Sequence, residues 1–145
     1  MGGRNILILL DEAAAVPADI RDFFVRYRDA FDRLDGEAVA RLYAIPSALV
    51  SPQGYFHWAD FDSIKRNMAA LCHRYRGHGY RSARFEFSGF LALASTFAVV
   101  DLLWHIERTG DYKPWRFHTG YNLRRHDTDW RVQFVTAYEE TALNG

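Results

Sequence analysis

The stretch "VVDLLWHIER", residues 99–108, reads as the middle of a β-strand that is apolar on both faces. Side chains alternate along a strand, so Val100, Leu102, Trp104 and Ile106 share one face, while Val99, Asp101, Leu103, His105 and Glu107 share the other. A strand of this kind belongs in a sheet that is covered on both sides. Alternation does not reveal which cover is which. Asp101 and His105 are therefore either surface charges on a wet face or the polar lining of a pocket.

Working outward, the second half of the chain reads as four long strands: about 82–93, 96–108, 115–125 and 130–140. Thr109-Gly110-Asp111 and His126-Asp127-Thr128-Asp129 carry the turns. The first half is helical. From Pro17, which suits a helix start, Ile20, Phe23, Phe24, Tyr27, Phe31 and Leu34 recur at spacings of three and four, with charges filling the other side. Asp35-Gly36 breaks this helix, and Asp35 can cap a short second helix running through Tyr43 and stopped by Pro46. "ALVS" (48–51) and "YFHW" (55–58) flank Pro52-Gln53-Gly54, a hairpin pattern. Asp60 or Asp62 can cap a third helix, whose buried stripe is Ile64, Met68, Leu71, Cys72 and Tyr75. Gly77 and Gly79 end it and do not form a phosphate loop. Helices followed by a run of strands with short turns predict an α+β domain with an antiparallel meander.

The last hairpin can be registered. If Arg125 faces Trp130, Leu123 faces Val132, Tyr121 faces Phe134, Thr119 faces Thr136, and Phe117 faces Tyr138. One face of both strands then becomes apolar or aromatic together, which a one-residue slip would destroy.

Composition bounds the function. A chain of 145 residues is long enough for one domain with a core. Lys plus Arg equals Asp plus Glu at 18 each, so net charge gives no reason to expect nucleic acid or an anionic membrane as partner. Aromatics reach 16%, a surplus that suits either an apolar cavity or a well-filled core. The lone cysteine, Cys72, permits no intrachain disulfide and fits a cytoplasmic setting. "RNILILL" near the start has too short an apolar run for a secretory segment. Residues 1–16 are expected to form an arm, and 17–145 one domain.

The order of elements, with "DGEAVARLYAIPSALVSPQG" (35–54), "AVVDLLWHI" (98–106) and "NLRRHDTDWRVQF" (122–134), resembles the nuclear transport factor 2-like superfamily, particularly its SnoaL-like branch. The resemblance implies a cone: a strongly curved, mixed or antiparallel sheet wrapped around the N-terminal helices, in the order α-α-β-β-α-β-β-β-β. It implies a pocket at the open end and dimerisation through the convex face. In the ketosteroid isomerases of this superfamily, a first-helix tyrosine donates to the substrate's developing oxyanion, and Tyr27 matches that place. Their catalytic aspartate precedes a proline, where this chain has Ser51. The resemblance also implies that Asp101 and His105 point into the pocket. The stripe Val100, Leu102, Trp104 and Ile106 would then be convex and meet a second subunit.

On this reading the pocket holds Asp101 as general base, Tyr27 and Tyr121 as hydrogen-bond donors, and His105 and Thr136 nearby. Trp58, Phe117 and Phe134 would supply aromatic walls. Asp101 and His105 lie ~13 Å apart along a strand rising ~3.3 Å per residue, so they form no dyad by themselves. Tyr27 also fits a core tyrosine, and His105 a backbone partner. His57, His105 and His118 lack metal-ligand spacing, and no metal or other cofactor is expected. Cys72 reads as a buried structural thiol, and the basic run Arg74, Arg76, Arg81 and Arg84 as either an anion-binding or a solvated face. Two functions fit. One is an isomerase, dehydratase or cyclase acting on an apolar carbonyl-containing ligand. The other is a non-catalytic ligand-binding or dimeric assembly module.

Overall fold

The structure is a computed structural model and describes residues 16–139. The expected N-terminal arm lies almost wholly outside that range. The elements are α1 (Ala18–Asp32), α2 (Gly36–Ala40), β1 (Tyr43–Ser51), β2 (Gly54–Trp58), α3 (Phe61–Gly77), β3 (Tyr80–Leu93), β4 (Phe97–Arg108), β5 (Trp115–His126) and β6 (Asp129–Thr136). This is the α+β order expected from the sequence.

Helix α1 forms where the apolar spacing predicts it and buries Ile20, Phe23, Phe24, Tyr27, Ala30 and Phe31. It closes at Leu34, whose φ of 53° turns the chain. The Asp35 carboxylate then accepts from Ala38 N–H at 3.0 Å and starts α2. A Cβ on Gly36 would lie 2.7 Å from the Ala69 backbone nitrogen, so glycine is what lets α2 touch α3. Asp60 caps α3 by accepting from Ser63 N–H at 2.8 Å.

The second helix is shorter than predicted. It ends at Ala40, and Pro46 lies inside β1 after a cis Ile45–Pro46 peptide. Pro46 is tolerated because the ladders skip it: β1 pairs with β2 only from Ser47 onward, and the β1–β6 register breaks between Tyr43 and Ala48.

The six strands form one sheet in the order β2-β1-β6-β5-β4-β3, antiparallel except for the parallel β1–β6 pair. The helices lie on its concave face. Two side-chain ties fix them there. Asp32 accepts from Tyr80 OH at 2.7 Å and from Ala83 N–H at 2.9 Å, joining the end of α1 to β3. Asp19 accepts from Trp130 Nε1 and Arg125, each at 3.0 Å, joining its start to the β5–β6 hairpin.

The two faces of β4 are the reverse of the expectation. Val100, Leu102, Trp104 and Ile106 point inward and are 0–5% exposed within the single chain. They are part of the core that packs on the helices and cannot supply a convex interface. Asp101 and His105 are on the outer face. The sequence gives this strand two apolar faces because the inner one meets helices and the outer one still buries Leu103. No helix among the described residues is long and apolar enough to cross a membrane.

Candidate functional site

Between α1, α3 and the concave sheet lies a cavity of about 440 Å³. Its inner wall is built from Tyr27 and Phe31 of α1, Tyr43 and Leu49 of β1, Trp104 and Ile106 of β4, Phe117, Thr119 and Tyr121 of β5, and Val135 beyond them on β6. Helix α3 contributes Asn67, Met68, Leu71, Arg74 and Tyr75. The β1–β2 hairpin adds Ser51, Gln53, Phe56 and Trp58. Gln53, Phe56 and Arg74 are the exposed members and mark the opening.

Three tyrosines meet at the closed end. Tyr27 and Tyr43 share a hydroxyl–hydroxyl hydrogen bond of 2.7 Å. The Trp104 indole Nε1 donates to Tyr121 OH at 2.9 Å. Side-chain hydrogen bonding also links Tyr121 with Tyr27 and Thr119. Burial, followed by repulsion from the neighbouring tyrosines, holds the Tyr27 hydroxyl well above its usual 10.0. Burial likewise raises Tyr121, against the opposing effect of the hydrogen bonds it accepts. At neutral pH both are intact O–H groups, suited to hydrogen bonding an oxygen and unsuited to taking a proton. No Asp, Glu or His lines the cavity among the described residues.

The sequence profile of the NTF2-like protein family DUF6841 matches residues 18–140. The chain belongs to this NTF2-like family. Solved structures agree on the fold. An NTF-2 like protein of unknown function from Shewanella oneidensis MR-1 superposes with a TM-score of 0.69 at 18% identity, covering 84% of this chain and 98% of its own. A ketosteroid isomerase-like protein from Erwinia carotovora atroseptica gives 0.64 at 19% identity, covering 83% and 93%. A scytalone dehydratase-like protein from Novosphingobium aromaticivorans gives 0.59 at 17%, covering 82% and 80%. Among curated proteins, none matches the sequence significantly.

Within this NTF2-like cone, Tyr27, Tyr121, Trp58 and Phe117 line the cavity as expected. Phe134 and Thr136 do not. The register holds from Arg125↔Trp130 to Leu123↔Val132, but a bulge follows between Leu123 and Asn122. One extra residue on β6 then shifts the pairing, so Tyr121 faces Val135 and Gly120 faces Thr136. Val135 and Ala137 point inward instead, and Phe134 and Thr136 turn outward. The bulge left no mark in the alternation, since Phe134 and Val135 are both apolar.

Asp101 and His105 also stand outside the cavity. His105 Nε2 pairs with Glu86 Oε2 at 2.6 Å across β3–β4. Asp101 is the hub of a convex-face cluster. Its Oδ2 accepts from Ser88 Oγ at 2.5 Å and meets His118 Nδ1 at 2.9 Å, while Tyr138 OH donates to Oδ1 at 2.7 Å. A bulge in β3 between Phe87 and Gly89 brings Ser88 into reach. Serine, histidine and aspartate together invite comparison with a nucleophile relay. Such a relay needs the acid and the serine on opposite ring nitrogens. Here both face Nδ1, Ser88 at 3.2 Å, and the serine donates directly to the aspartate. The cluster ties strands together and pins the segment after β6.

Sequence reasoning missed Tyr43, Thr119 and Asn67 as lining residues. Tyr43 fell within the predicted second helix. Thr119 was inward in the predicted register, but its partner Thr136 drew the attention. Arg74 was visible only as one member of a basic run.

Proposed function

We propose that this protein binds an apolar, ring-containing molecule that carries an oxygen, and that the oxygen sits at the tyrosine end of the cavity. The observation behind this reading is the linked Tyr27, Tyr43 and Tyr121 hydroxyls at the closed end of an otherwise aromatic and aliphatic space. A ligand oxygen can join this hydroxyl network as one more hydrogen-bonding partner, whereas an apolar end gains no such bond. The fold shared with a ketosteroid isomerase-like and a scytalone dehydratase-like protein supports a pocket role. An isomerase, dehydratase or cyclase also needs a group that accepts a proton from the substrate. Among the described residues the lining offers donors and no carboxylate or imidazole, which favours binding over proton-abstracting catalysis.

The test uses 4-acetylbiphenyl, a rigid aromatic ketone, read by tryptophan emission, since Trp58 and Trp104 line the cavity. Saturable quenching and a raised Tm are expected. Tyr27→Phe should weaken binding about fivefold, the size of one neutral hydrogen bond near 1 kcal/mol. Absence of saturable binding by this ketone and by 4-phenylphenol would overturn the reading.

A further inference from the structure

Among the described residues the cavity has one formal charge on its lining, and it is positive. Of the basic run Arg74, Arg76, Arg81 and Arg84, only Arg74 lines the space; the other three do not. Arg74 is exposed and makes no ion pair among the described residues. This is unlike Arg28, Arg41, Arg125 and Arg131, each of which has a carboxylate within 4.0 Å. Asn67 stands two turns before Arg74 on the same face of α3, also on the lining. The Asn67 amide has only a 4.0 Å approach to the Met68 sulfur, so it adds a second donor to that side of the opening.

Resting on the ligand-binding reading above, we propose that the ligand is an amphipathic acid. Its ring system fills the cavity, its oxygen-bearing end meets the tyrosines, and a carboxylate at the other end pairs with Arg74 at the mouth. The charge belongs at the mouth for a physical reason. The closed end would strip a carboxylate of water, whereas the exposed guanidinium can hold it in a fork of N–H donors while it stays hydrated. No described residue of the lining is acidic, so none of them repels an anion. A cationic ligand finds no partner there.

The experiment compares 4'-hydroxybiphenyl-4-carboxylate with its methyl ester on the full chain, by tryptophan quenching and calorimetry at low salt. The acid should bind about fivefold more tightly than the ester. Arg74→Gln should abolish that preference, so that acid and ester bind the variant with the same affinity. Arg76→Gln, on the same helix but off the lining, should retain it. Raising the salt to 0.5 M should shrink the preference in the wild type, because an exposed pair is screened. Equal or weaker binding of the acid in the wild type overturns the inference while leaving the pocket reading intact. So does an acid preference that survives Arg74→Gln. Failure of both acid and ester to bind overturns the inference together with the reading beneath it.

Discussion

Trp104 and His105 are neighbours in sequence and belong to different environments. On the concave face of β4, Trp104 is 5% exposed and its one polar atom is spent on Tyr121. On the convex face, His105 pairs with Glu86 beside solvent. The contrast recurs at other positions of the sheet. Concave polar groups are neutral donors tied to one another, Tyr27 to Tyr43 and Trp104 to Tyr121. On the convex face carboxylates meet imidazoles, Asp101 with His118 and Glu86 with His105. Water decides the difference. A charge on the concave side would lose its hydration to the helices, while on the convex side it keeps much of it.

The contrast is sharpest at those two adjacent residues. Trp104→Glu removes a large core side chain and buries an unpaired carboxylate, so the loss should exceed about 4 kcal/mol and leave little folded protein. His105→Gln should change stability by less than about 0.5 kcal/mol, as a largely surface pair does. Urea unfolding of the two variants measures this directly. Comparable losses would mean the faces are not as different as described.

A smaller test stays on the concave side. Tyr121→Phe leaves the Trp104 N–H without its acceptor and should cost about 1–3 kcal/mol. It should also change the alkaline limb of stability. Tyr121 and Tyr27 are raised above the ordinary 10.0 in the folded chain. Their stabilisation is therefore complete below pH 10 and is lost as pH rises beyond it toward their folded values. Stability should be flat between pH 7 and 9 as far as these groups decide it, fall above 10, and fall less steeply in Tyr121→Phe. An equal fall in the variant would exclude Tyr121 from that effect.

On the convex side, Asp101→Asn keeps the shape of the side chain and discards its charge. A cost of about 1 kcal/mol is expected for this partly exposed cluster, with ketone binding unchanged. Loss of binding in Asp101→Asn would break the division of the sheet into a binding face and a structural face.

The smallest effect lies at the edge. Burial works against the Asp19 carboxylate, but hydrogen bonds from Trp130 and Arg125, the charge of Arg125 and the Ile20 N–H hold it below its usual 3.8. Asp19→Asn should cost a few tenths of a kcal/mol at pH 7, given the exposure of the pair. Because the folded value is depressed, that difference is present above about pH 4 and disappears as pH falls through the folded pKa. Chemical denaturation at pH 7 and pH 2.5 would show it.

Much of this was legible in the chain. The 3.6-residue spacing of Ile20, Phe23, Phe24, Tyr27 and Phe31 is the buried stripe of α1. Asp35 caps the helix it was expected to cap, and of the two candidates for α3, Asp60 and Asp62, it is Asp60 that does so. The loop 126–129 set Arg125 opposite Trp130. The resemblance in "DGEAVARLYAIPSALVSPQG" pointed to Tyr27, which does line the cavity. These features are local, or follow from a periodicity that one burial direction imposes on a single element.

Tertiary structure alone decided the rest. Which face of 99–108 is concave depends on where the helices lie, and the strand is apolar on both sides, so its own pattern is silent. The bulge beyond Leu123 moved Phe134 and Thr136 outward and Val135 inward, with no polar residue in "FV" to betray the shift. Pro46 became part of a strand because the ladders on either side leave a gap for it. Arg74 parted from Arg76 because α3 turns only one of them toward the cavity, while Arg81 and Arg84 fall on β3. Sequence carries periodicity, capping and turn chemistry, which are properties of single elements. The choice of inner face, the bulge and the lone charge at the mouth arise only when elements pack, since burial belongs to the assembly of elements and not to any one of them.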